Sequence, residues 1–164
     1  MDAGCDMSVG IRFMREGEED AVAVLIRQLP KDLGLSTVPK MTGQNLRDAK
    51  GLAHVTVADD AGLILGVCLW TMTYSSWRGC AGIYISDLYV LPHARGRKIG
   101  ERLLRGTLRE SHKMGASFVK MEVEVANEAA ARFYTNLGFI HKADDRIFIL
   151  EPQGFEHLTT RTES

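Results

Sequence analysis

The hydrophobic period of this chain changes at Pro92, and that change constrains the fold more than any other feature. From Gly82 to Val90 the pattern has a period of two, with Ile83 and Ile85 set against Tyr84, Leu88 and Val90, which predicts a strand. Beyond Pro92, Ile99, Leu103, Leu104 and Leu108 fall on one helical face, and the helix closes near Gly115. A further strand is expected at Phe118–Val125. Strand, helix and strand in that order make a β-α-β crossover, which should be right-handed with its two strands parallel and adjacent.

The rest of the chain fits around this unit. Ile11–Met14 reads as a first strand, and Glu18–Leu29 as an amphipathic helix ended by Pro30 and Gly34. Residues 35–50 are polar and irregular, with room for a second short helix. Ala53–Ala58 and Leu63–Thr73 are expected as strands joined by the Asp59–Gly62 turn, and a second hairpin turns through Ser75–Gly79. After residue 125, Ala130, Phe133, Tyr134 and Leu137 mark a helix ending at Gly138, and Phe139–His141 and Arg146–Leu150 are expected as a closing pair of strands.

Composition limits the possible functions. The chain has 164 residues, enough for one domain covering 1–164, with a net charge of −1. It is no polycation, so nucleic acid and membrane surfaces are not its expected partners. The acidic N-terminus lacks an apolar secretory core, and no apolar run approaches the roughly 20 residues that span a bilayer. A soluble, cytoplasmic protein is expected. Three cysteines (Cys5, Cys68, Cys80) form no C-x-x-C pair and read as reduced thiols, and five scattered histidines lack metal-ligand spacing, so no metal is expected.

Two segments carry chemistry. Leu91–Leu104 places a glycine-bearing turn, Arg95-Gly96-Arg97-Lys98-Ile99-Gly100, between the strand and the first turn of the helix. Unpaired N–H groups at a helix start suit a phosphate, and Gly96 and Gly100 remove side chains that would hold a ligand off the backbone. Arg95, Arg97, Lys98, Arg102 and Arg105 against Glu101 give this segment a local positive excess, suited to a multiply phosphorylated ligand. An ordinary strand–helix turn with a solvated basic face would look the same. In the second segment, Asn127–Phe139, Asn127 could act only as a helix cap and Phe133 and Tyr134 only as core aromatics.

Taken together, these segments resemble the Gcn5-related N-acetyltransferase (GNAT) superfamily. Its pattern Asn-x-x-Ala-x-x-Phe-Tyr-x-x-x-Gly-Phe is matched in full from Asn127 to Phe139. The pattern Arg/Gln-x-x-Gly-x-Gly/Ala is matched at Arg95 and Gly100, with Gly96 at one of its free positions and Lys98 where a glycine is usual. A lysine there can still present its N–H if its φ is negative. The resemblance covers residues 50–150. It implies an α/β (α+β) fold with a mixed, mostly antiparallel sheet of six to seven strands, splayed at its centre, with helices on both faces. It also implies acetyl-coenzyme A as co-substrate. The contacts it implies run through Leu88, Tyr89 and Val90 for pantetheine, then Arg95, Gly96, Arg97, Lys98, Ile99, Gly100 and Glu101 for the diphosphate, and Asn127, Ala130 and Tyr134. A homodimer is expected by the same analogy.

The chemistry implied is direct attack of a primary amine, free or on a peptide, on the thioester. An alkylammonium with a pKa near 10.4 must first lose a proton, at a cost of about 4.6 kcal/mol at pH 7. Asp87, Glu122 and Glu124 are the candidate bases, and the resemblance favours Asp87, which could equally be an edge carboxylate paired with arginine. Tyr134 is the expected acid for the departing thiolate. No cysteine sits in a motif with a histidine, so a covalent route has no visible nucleophile–base pair. Tyr74–Gly79 resembles the diamine and polyamine acetyltransferases, although Ser86 stands where those enzymes have a glutamate. Two rival readings are a non-catalytic acetyl-coenzyme A-binding module and a nucleotide-binding regulatory domain.

Overall fold

The computed structural model describes residues 8–32 and 34–160. Within 8–124 the elements are β1 (Gly10–Phe13), α1 (Glu19–Ile26), α2 (Leu29–Asp32), α3 (Gly43–Asp48), β2 (Ala53–Asp60), β3 (Leu63–Ser75), β4 (Cys80–Val90), α4 (Ile99–Lys113) and β5 (Val119–Met121). The strands form one sheet in sequence order. β1 to β4 pair antiparallel, and β4 pairs parallel with β5 across α4, as the Pro92 switch predicts.

Both faces of the sheet are covered by helices. On one, Val22, Leu25 and Ile26 of α1 bury against Val55, Val57, Val67 and Tyr89. Alternate residues point the other way. There Thr56 meets Thr107 of α4 hydroxyl to hydroxyl, both wholly buried. Gly106 brings α4 so close to β1 that a Cβ on it would collide with Ile11. Trp70, also wholly buried, stacks on His54 at 4.5 Å.

The helix expected over Glu18–Leu29 is instead two helices. α1 stops at Ile26, and Pro30 sits in the first turn of α2, where its missing N–H costs nothing. The short helix expected within 35–50 is α3, whose Thr42 and Asn45 form a reciprocal capping box.

The second compact unit starts at Val125. It contains α5 (Glu128–Asn136) and α6 (Pro152–Thr160). Asn127 caps α5 by accepting the Ala130 N–H at 3.1 Å. Gly138, at φ 91°, ends it, and the Phe139 N–H returns to the Tyr134 carbonyl at 3.0 Å.

The strand count is corrected here. Among the described residues the sheet has five strands, not six or seven. Phe139–His141 and Arg146–Leu150 form no ladder, and β5 covers only Val119–Met121 of the expected 118–125. Alternating side chains favour extended backbone, but a strand exists only where a neighbour takes its hydrogen bonds.

Candidate active site

β4 places the acidic and aromatic groups through a bulge. Leu69 of β3 faces Asp87 and Trp70 faces Ile85, so Ser86 is an extra residue opposite neither. The sequence reading set Tyr84, Leu88 and Val90 on one face. The bulge instead turns Asp87 and Tyr89 to the face of Tyr84, under α1 and α2, and Leu88 to the side of Cys68. The β4–β5 ladder runs only from Ile83–Val119 to Ile85–Met121. From Ser86 to Val90, β4 is therefore paired with β3 alone, next to the glycine turn.

That turn leads into the head of α4. Gly96 has φ 77°, and the space a Cβ would take is open. Lys98 caps α4 with φ 58° and ψ 15°. The condition of a negative φ at Lys98 is not met: the lysine adopts the left-handed conformation that glycine takes without cost, at about 1 kcal/mol, and so keeps the backbone shape of the glycine usual at this position. Ile99 and Gly100 open the helix, where the first N–H groups lack intrahelical acceptors. The backbone here fits a diphosphate ligand.

Arg95 turns away from the loop it precedes. Its Nε donates to the Val90 carbonyl at 2.9 Å, a terminal nitrogen pairs with the Asp32 carboxylate, and the guanidinium lies 5.5 Å from the centre of the Tyr89 ring. The Tyr89 hydroxyl also donates to Asp32, at 2.9 Å. The Asp32 carboxyl is held below the usual range, first by the Tyr89 hydroxyl and then by Arg95. Tyr89 is pushed up to about 12, by burial and then by Asp32. Sequence reasoning missed Asp32, which lies 63 residues from Arg95 in a segment without periodic pattern. Glu101 is engaged within the helix, accepting from Arg105 at 2.9 Å.

Burial raises the Asp87 carboxyl above its ordinary value. Tyr84 on the same face is raised too, by burial first and then by Glu122. Among the described residues neither Asp87 nor Glu122 has an ion-pair partner, which answers the possibility that Asp87 is tied to an arginine. The Cys68 thiol is wholly buried and pushed up to about 12 by burial, so it is not an activated nucleophile. No group of three potential metal ligands occurs among the described residues, and no described helix is long and apolar enough to cross a membrane.

In the second unit, Asn127 and Ala130 are joined by the cap, and Tyr134 lies half-buried on α5 with ring centres 5.0 Å from Phe133 and 5.2 Å from Phe139.

Comparison with known proteins agrees with this architecture. Residues 51–141 match the family described as Acetyltransferase (GNAT) domain. Thialysine N-epsilon-acetyltransferase of Bos taurus is 30% identical over 143 residues, covering 79% of this chain and 83% of that protein. Aminoalkylphosphonate N-acetyltransferase of Salmonella typhimurium is 28% identical over 134 residues, covering 79% and 83%. Among solved structures, an integron cassette protein from the mobile metagenome of V. cholerae superposes with a TM-score of 0.77 at 19% identity, over 94% of this chain and 99% of that one. An aminoglycoside acetyltransferase from an uncultured soil sample, in complex with sisomicin, gives 0.74 at 17% identity, over 90% and 100%. These two share the fold. On the match over residues 51–141, the chain belongs to the GNAT family and is an acetyl-transferring enzyme.

Proposed function

We propose that this protein moves the acetyl group of acetyl-coenzyme A to the primary amine of a small molecule, by direct attack within a ternary complex. The observation that carries the reading is the end of the β4–β5 ladder at Ile85–Met121 while β4 continues to Val90 and into the turn at the head of α4. Backbone groups left without a neighbouring strand can pair with an extended, amide-bearing arm such as pantetheine. The turn with Gly96 and Lys98 left-handed then offers N–H groups to the diphosphate.

In this mechanism Asp87 takes the proton from the ammonium, directly or through water. Burial raises its pKa, which makes it a better base than an ordinary carboxylate. The neutral amine attacks the thioester carbonyl, and a backbone N–H near Tyr89 or Val90 stabilises the oxyanion. Tyr134, carried by the family motif on α5, gives its proton to the thiolate as the carbon–sulfur bond breaks, and the proton that the attacking nitrogen sheds on becoming an amide returns to the phenolate. For a phenol near 10 and a thiol near 8.5 that transfer is uphill by about 2 kcal/mol, within reach of a hydrogen bond that strengthens as charge develops. A small amine acceptor is supported by the names of the relatives, which specify thialysine, aminoalkylphosphonates and aminoglycosides.

The test is thiol release from acetyl-coenzyme A across those three amine classes and a diamine. Wild-type protein should turn over at least one. Tyr134→Phe should lose roughly a hundredfold in kcat with unchanged affinity for coenzyme A. Absence of turnover with every amine, despite tight coenzyme binding, would leave a binding module; preference for ATP over coenzyme A in calorimetry would leave a nucleotide-binding domain.

A further inference from the structure

We propose that Asp32 is a positioning residue for the coenzyme loop, acting through Arg95, and that Arg95 serves as an internal strut, not as a phosphate ligand. The inference rests on the reading of residues 95–100 as the seat of the diphosphate.

Arg95 is the residue immediately before Gly96, so whatever fixes its side chain also fixes where the turn begins. Three attachments do so. Nε holds the Val90 carbonyl at the end of β4, the guanidinium covers the Tyr89 ring at 5.5 Å, and Asp32 at the end of α2 takes the terminal nitrogen. Asp32 simultaneously accepts the Tyr89 hydroxyl at 2.9 Å, and Gln28 lies 3.5 Å from the same hydroxyl. One carboxylate thus ties α2, β4 and the start of the loop into a closed ring of contacts. The positive charge of Arg95 is answered inside that ring. A carboxylate beside a phosphate would otherwise repel it, so an arginine already paired with Asp32 both shields that charge and points its donors away from the loop amides.

The two roles for Arg95 predict opposite signs for one substitution. If Arg95 is a strut, Asp32→Asn loosens the loop. Affinity for coenzyme A and KM for acetyl-coenzyme A should then worsen about three- to fivefold, with kcat little changed, the size expected for a partly exposed pair. Arg95→Gln should do the same, and the double variant should be no worse than either single one. If Arg95 is instead a phosphate ligand held in reserve, Asp32→Asn frees it and coenzyme binding tightens, which would overturn the proposal. Unchanged affinity with a lowered Tm would also overturn it, leaving Asp32 merely structural. Asp32→Glu, which keeps the charge, should restore most of the affinity and serves as the second variant if Asp32→Asn folds poorly.

Backbone NMR order parameters of residues 95–100, measured without any ligand, give an independent readout. They should fall in Asp32→Asn whether or not the wild type binds coenzyme A. Failure of wild-type binding would therefore count against the acetyl-coenzyme A reading, and unchanged order parameters against the strut.

Discussion

Thr107 on α4 and Thr56 on β2 meet hydroxyl to hydroxyl with neither exposed to solvent. Each hydroxyl bonds the other, and both stand beside the buried Cys68 thiol, so their stability effects are coupled. Thr107→Val or Thr56→Val alone should cost about 1–3 kcal/mol by leaving the remaining buried hydroxyl with only the weakly bonding Cys68 thiol as partner. The double valine variant should cost clearly less than the sum of the two. Urea unfolding of the four proteins checks this, and additive losses would show that the two hydroxyls act separately.

Lys98→Gly should stabilise the apo protein or leave it unchanged, despite removing a side chain. The lysine backbone sits at φ 58°, where a Cβ costs about 1 kcal/mol and glycine pays nothing for sterics, although glycine's freer unfolded chain offsets part of the gain. Chemical denaturation gives the sign.

Activity should fall as pH drops through a value above the usual carboxylate range, because Asp87 works as a base only when ionised and its pKa is raised by burial. The stability effect has the opposite sense. A carboxyl whose folded pKa is raised favours folding in its protonated form, and that contribution is lost as pH rises from the ordinary value through the raised one. Asp87→Asn should therefore be inactive yet at least as stable as the wild type at pH 7. Initial rates with an amine of low pKa, and melting at pH 7, read the two effects separately.

Acid should destabilise the protein at its other end, where Arg12 pairs with Glu18 at 2.6 Å and Asp59 at 2.9 Å. Both carboxyls are held below their ordinary range chiefly by hydrogen bonds from Arg12. Their contribution is complete above the unfolded carboxyl values, near pH 4, and is lost as pH falls through the lower folded ones. Arg12→Met should cost about 1–3 kcal/mol at pH 7, and the difference from wild type should shrink towards pH 2. Melting curves across that range test it.

Much of this was legible in the sequence for a physical reason. Periodicity reports which face of a local element is buried, so the Pro92 switch, the hairpins and α4 were readable from side chains a few residues apart. The loop at Gly96 and the Asn127 cap were readable because turns and caps use a small set of residue types. The contribution of Asp32 was not readable, because an ion pair across 63 residues leaves no local pattern. Nor were the missing strands at 139–150, since pairing needs a neighbour that alternation cannot supply. Lys98 shows a third kind of limit. The turn geometry dictates the φ, and the residue type at the position was a misleading guide to it.

The extra residue at Ser86 acts as a parity switch for the end of β4. Upstream of it even-numbered Tyr84 looks towards α1 and α2; downstream the odd-numbered Asp87 and Tyr89 do. Were Ser86 drawn into the ladder as an ordinary strand residue, it would take that face itself and carry the carboxylate of Asp87 around to the packed side of α4, with no change in its chemical identity. With eleven residues in β4, it is the looped-out backbone at 86 that aims the carboxylate, and the side chain carried there matters only so far as it lets the strand bulge.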